Sequence, residues 1–82
     1  VAEEPTTFRI VGSIQNVETI AVGRGVRLRH VLKEIYGGQN WRKLKGIAWV
    51  EAVSGYAGYA EIHWYEAHGV GPVWWKIKQP LK

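Results

Sequence analysis

Two hydrophobic periods divide this chain. Between Phe8 and Val22 apolar and polar residues alternate in short runs, Phe8-Arg9-Ile10 and Val17-Glu18-Thr19-Ile20 among them. Patterning close to period two predicts strands. Gln15-Asn16 lies between the runs, so the segment predicts a hairpin with its turn there. From Val26 the period lengthens. Leu28, Val31, Leu32 and Ile35 fall at i, i+3, i+4 and i+7, one face of an amphipathic helix that Gly37-Gly38 ends. Arg27, His30, Lys33 and Glu34 lie toward its polar side.

After the helix, Asn40-Trp41-Arg42-Lys43-Leu44-Lys45 reads as a basic connector. Alternation returns at Ile47 to Val53, Tyr59 to Ala67 and Val73 to Lys78, with turn signals at Ser54-Gly55 and Gly69-Val70-Gly71-Pro72. The expected fold is α+β: an N-terminal hairpin, one amphipathic helix, then a three-stranded antiparallel meander forming one sheet. Residues 1–82 are expected to form a single domain, with 1–7 as a loose lead-in. Ile62 and Trp64 share one strand face, and Val73, Trp75 and Ile77 share another. These two sets are expected to meet on the side that receives the helix. Trp64 and Trp75 are the expected interior tryptophans, Trp41 and Trp74 the exposed ones.

Composition narrows the chemistry. A chain of 82 residues supports one small core with little room for a cavity. Without cysteine there is no disulfide, no thiolate nucleophile and no cysteine zinc site. Without aspartate there is no Ser-His-Asp triad. The chain also lacks methionine, and is expected to be a processed product or an excised domain. No apolar run approaches the ~20 residues of a membrane span, so a soluble domain without membrane association is expected; the expected site of action is the cytoplasm.

The net charge of +4 is unevenly placed. Residues 24–45 carry Arg24, Arg27, Arg29, Lys33, Arg42, Lys43 and Lys45 against Glu34 alone, and Lys76, Lys78 and Lys82 close the chain. Clustering of this kind favours a polyanionic partner. Between the two basic stretches lies Glu61-Ile62-His63-Trp64-Tyr65-Glu66-Ala67-His68-Gly69. Alternation points Glu61, His63 and Tyr65 to one side, where the next strand brings Trp74, Lys76 and Lys78 beside them.

An acid, an imidazole, a phenol and ammonium groups in one row suit proton transfer on an anion such as RNA. Metal-independent RNA cleavage needs a base for the 2′-hydroxyl, an acid for the leaving 5′-oxygen and cations for the phosphorane. His63 or Glu61 is the candidate base, His68 or His63 the acid, and Lys76 with Arg42 or Lys43 the charge stabilisers, with Tyr65 in the same catalytic row. Arg27, His30, Lys33, Trp41, Arg42, Lys43, Lys45, Trp74 and Lys78 are the candidate nucleic-acid contacts. No metal and no other cofactor is expected. The competing reading is structural: Glu61 in a surface ion pair with Lys76 or Lys78, and His63 a satisfied sheet histidine.

The basic helix, the Trp41-Arg42-Lys43-Leu44-Lys45 connector and terminal strands bearing His, Tyr, Glu and Lys resemble the small bacterial ribonuclease toxins of the barnase, RelE and colicin-ribonuclease type. The resemblance covers roughly residues 26–78 and is one of architecture and residue type. It implies an endoribonuclease acting on tRNA, rRNA or ribosome-bound mRNA, with catalytic groups on the sheet face and an acidic inhibitor or immunity protein as a further partner. Two other functions fit the same residues. One is a non-catalytic RNA- or DNA-binding module, the other a protein-interaction domain that pairs through its sheet edge.

Overall fold

The computed structural model describes residues 7–81. The expected lead-in therefore lies, Thr7 apart, outside the described residues. Four strands, β1 (Phe8–Val22), β2 (Gln39–Ala52), β3 (Ala57–His68) and β4 (Val70–Pro80), form one antiparallel sheet in chain order. A 3-10 turn at Gly23–Gly25 and a single helix, α1 (Arg29–Tyr36), connect β1 to β2. Among the described residues no helix is long and apolar enough to cross a membrane.

The fold is thus mostly sheet, and it corrects the expected arrangement of an N-terminal hairpin, helix and three-stranded meander. Gln15-Asn16 is not a turn. Val11 opposes Trp49 and Gln15 opposes Ile47, so four residues of β1 run against two of β2. Gly12 and Asn16 take φ of 82° and 55°, left-handed backbone that accommodates extra residues in a continuous strand. The turn signals in the sequence belong to bulges. The basic connector is not a connector either, since it lies within β2. Its alternation is masked because the buried positions after Leu44 are the small residues Gly46 and Ala48.

One face of the sheet holds the main core: Leu44, Ala48, Val50, Ala60, Ile62 and Trp64. Phe8, Ile10 and Ile14 from β1 and Trp75 and Ile77 from β4 pack against it, so the bulged outer strands curve over the inner pair. Trp64 stacks on Trp75 with ring centroids 4.9 Å apart. Gly46 makes this possible. A Cβ there would stand 2.5 Å from Ile14 Cγ2, 3.2 Å from the Gln15 carbonyl oxygen and 3.3 Å from Trp64 Cη2. Gly46→Ala is expected to lower the free energy of unfolding by about 1–3 kcal/mol through overpacking. The check is denaturant unfolding. A variant as stable as the parent would mean that Ile14 is free to move aside.

The helix does not sit on this face. Leu32 and Val26 pack with Trp41 and Ala67 in a second cluster, flanked by Tyr65, Val73 and Trp74, on one end of the opposite face. This corrects the expected meeting of Ile62, Trp64 and Val73 beneath the helix. A bulge explains the split. Tyr65 opposes Val73 while His63 opposes Lys76, and Trp74 in the extra position has φ of 57°. Val73 and Trp74 therefore turn to the helix, Trp75 and Ile77 to the main core. Trp41, expected outside, is 3% exposed, and its Nε1 donates to the Gly37 carbonyl at 3.2 Å. The exposed tryptophan is Trp49. Of the predicted helical stripe only Leu32 is buried, while Leu28, Val31 and Ile35 remain exposed.

Candidate functional site

The face that carries α1 at one end is otherwise open, and β2 and β3 supply its residues by simple alternation. Lys45 opposes His63, and His63 opposes Lys76; one step along, Ile47 opposes Glu61. On the helix side Lys43 opposes Tyr65. The apolar residues at 44, 46, 48 and 50 face the core, so their odd-numbered neighbours are forced to this side. The same parity places Glu61, His63 and Tyr65 here, as expected from the sequence.

Leu28, the residue that caps the N-terminus of α1, borders a cleft of about 180 Å³ on this surface, lined also by Lys43, His63, Tyr65, Trp74, Lys76 and Lys78. An adjoining depression shares Leu28, Lys43 and Tyr65 and adds Arg27. At the edge of the cleft His63 Nε2 is 2.7 Å from Oε2 of Glu61, which lines a neighbouring depression with Lys45 and Ile47; 14% and 25% of the two side chains are exposed. The hydrogen bond from His63 holds the Glu61 carboxyl below the usual carboxylate range, against the opposing effect of burial; Lys45, His63 and Lys78 add favourable charge. An ionised carboxylate only accepts, so Nε2 carries the proton and donates. In the neutral imidazole that leaves Nδ1 as the acceptor.

The depressed Glu61 value has a consequence for acid stability. The native state favours the carboxylate, so its contribution is complete above the unfolded-state value and is lost as pH falls through the lower native one. The melting-temperature difference between parent and Glu61→Gln is expected to narrow as pH drops from about 5 to about 3, across the ordinary carboxylate range. A difference that stays constant over that range would show that the pairing is not sensed by folding.

Three ammonium groups converge beside the dyad. Among the described residues Lys43, Lys76 and Lys78 form no ion pair, although Lys43 Nζ lies 5.8 Å from the centre of the Tyr65 ring. Glu61 therefore pairs with His63 rather than with Lys76 or Lys78. Lys45, on the same face, is 3.8 Å from Glu18. Trp74 meets Tyr65 edge to face and donates from Nε1 to the Tyr36 hydroxyl at 3.0 Å, which ties the cleft wall to the helix.

The structure brings together His63, Glu61, Tyr65, Lys76, Lys43, Trp74 and Lys78, with Lys45 and Arg27 at the margins. His68 stands apart, in a separate shallow depression with Asn40 and Arg42. Arg42 faces the other side of β2 from Lys43 and pairs with Glu66 at 3.2 Å. Trp41 is core and cannot contact a ligand. His30 and Lys33 are exposed on α1 but do not line the cleft. Among the described residues no group of three or more histidines and carboxylates could hold a metal ion. Sequence reasoning passed over Trp49 and Tyr59, direct cross-strand partners on the same open face, 37% and 52% exposed. Their numbering parity with Lys45 and His63 was the available signal. Comparison of the chain with protein-family models, with curated proteins and with solved structures found no significant match.

Proposed function

We propose that this protein is a metal-independent endoribonuclease whose active face is the open side of the sheet. The observation that carries the reading is a Glu61-held imidazole in a cleft with three lysines that form no ion pair among the described residues. Like charges gathered on one face raise the local potential and attract an anion. A phosphodiester is such an anion, and the oriented histidine gives it a chemical purpose.

In this reading His63 Nδ1 takes the proton of the ribose 2′-hydroxyl as the 2′-oxygen attacks phosphorus. Lys76, Lys78 and Lys43 stabilise the charge that develops on the phosphorane oxygens. The Lys76 ammonium or the Tyr65 hydroxyl protonates the departing 5′-oxygen. The products are a 2′,3′-cyclic phosphate and a 5′-hydroxyl. His68 has no part in this step, since it lies in a different depression. The likeness to ribonuclease toxins supports the reading through residue types rather than topology, because here a long strand precedes the helix. A toxin role, a tRNA, rRNA or ribosomal mRNA target, action in the cytoplasm and an acidic inhibitor as partner belong to the same proposal.

The test is incubation of the protein with single-stranded RNA in EDTA, where the proposal requires fragmentation and intact RNA would reject it. Binding is measured separately. Replacing Lys43, Lys76 and Lys78 together by alanine is expected to flatten the salt dependence of RNA binding by about two units, at ~0.7 per lost phosphate contact on a single strand. An unchanged slope would mean that phosphates do not enter the cleft. A second reading, a single-stranded nucleic-acid-binding module without catalysis, is favoured by the exposed Trp49–Tyr59 pair on the same face.

A further inference from the structure

We propose that Trp49 and Tyr59 form a base-stacking subsite for an unpaired nucleotide of the RNA strand that enters the lysine cleft. The inference rests on the reading of the open face as an RNA site and names what that site selects: single-stranded rather than duplex RNA.

Trp49 and Tyr59 are register partners on β2 and β3, and their rings meet edge to face with centroids 5.2 Å apart. Both are exposed. Alternation puts them on the side of Lys45 and His63 rather than with the buried Ala48, Val50 and Ala60. Val11, opposite Trp49 on β1 and 43% exposed, extends the apolar row across a third strand. A cross-strand aromatic pair stabilises a sheet by itself. What it leaves open here is ring surface toward solvent, in line with a cluster of cations.

The spacing links the two. Tyr59 precedes His63 by four residues on one strand, roughly 13 Å at ~3.3 Å per residue. That distance is up to about four nucleotides at the ~3.4 Å rise of a stacked strand, and fewer in an unstacked one. Phosphates held by Lys43, Lys76 and Lys78 would thus carry a base a few nucleotides away onto the aromatic pair. Charge supplies the complementarity for the backbone, and the rings supply a surface that accepts any base. A duplex keeps its bases stacked inside and offers nothing to the pair.

The experiment uses the full chain and an octanucleotide of 2′-O-methyl RNA, which has no free 2′-hydroxyl and cannot be cleaved. Affinity by fluorescence anisotropy is compared with that for an abasic octanucleotide and for the same strand annealed to its complement. The parent is expected to bind the base-bearing single strand about 5- to 150-fold more tightly than the abasic one, the span that stacking of one base supplies. Trp49→Leu and Tyr59→Leu should each shrink that ratio toward one, and annealing should lower affinity in the parent. As a route that needs no variant, a 5-bromouridine octanucleotide is photo-crosslinked to the parent, and an adduct is expected at Trp49 or Tyr59. The subsite is rejected if the parent binds base-bearing and abasic strands alike, if both leucine variants keep the ratio, or if adducts form only at Trp74. Failure to bind any of the probes rejects the RNA reading as well; binding without base preference rejects the subsite alone.

Discussion

His63→Ala is expected to lower RNA cleavage by about 10² to 10⁴, the usual loss for a positioned general acid or base. RNA affinity should change little, because the phosphate contacts assigned to Lys43, Lys76 and Lys78 remain. Stability should fall only modestly, since His63 lies on the open face and outside both core clusters. Glu61→Gln removes the carboxylate that orients the imidazole and should also slow cleavage. The double variant should then lose less than the two single losses combined, because the pair acts as a unit. Cleavage rates, affinity and melting temperature on the same preparations separate the outcomes. Full activity in His63→Ala would remove the imidazole from the mechanism. Collapse of its fold would make His63 a structural residue.

Leu32→Ala is expected to cost about 2–5 kcal/mol of stability, the range for emptying a packed leucine site. Leu32 is fully buried between Val26, Trp41 and Ala67, and it is the one buried residue of α1. Ile35→Ala, on the same predicted stripe but 56% exposed, should cost far less. Because Leu28 at the α1 N-cap lines the cleft and Tyr36 of α1 accepts a hydrogen bond from Trp74 in the cleft wall, Leu32→Ala should also weaken RNA binding. Denaturant unfolding of the two variants checks the packing. Equal losses would mean that the helix is seated by its outer stripe instead.

Much of the candidate site was legible before the fold was. β3 shows why. Ile62 and Trp64 are apolar and flanked by Glu61, His63 and Tyr65, so strand periodicity alone separates core from site. Its partner β4 reads less cleanly, because the extra residue at Trp74 shifts the phase between Val73 and Trp75. β1 failed for the same reason: four of its residues run against two of β2, and the positive-φ residues that permit this are the types that make turns. The basic start of β2 looked like a connector because charge hid an alternation carried by small residues.

Placement of the helix was the costliest miss, and its cause is physical. At the helix end both faces of β3 are apolar, with Trp64 on one side and Tyr65 and Ala67 on the other, so composition does not choose between them. The structure puts α1 on the same side as His63, where its N-cap Leu28 borders the cleft. Trp41 is buried by that choice, and its indole nitrogen finds the Gly37 carbonyl freed at the helix end. Arg42 and Lys43, adjacent in sequence, point to opposite faces as strand neighbours must. Only Lys43 reaches the cleft.

The central claim is that His63 and its lysines drive 2′-hydroxyl attack on a phosphodiester, and the chemistry of the product ends tests it most directly. Single-stranded RNA treated with the parent protein in EDTA should yield fragments with 2′,3′-cyclic phosphate and 5′-hydroxyl ends, formed far more slowly by His63→Ala. Intact RNA, or fragments bearing 5′-phosphates, would contradict the account.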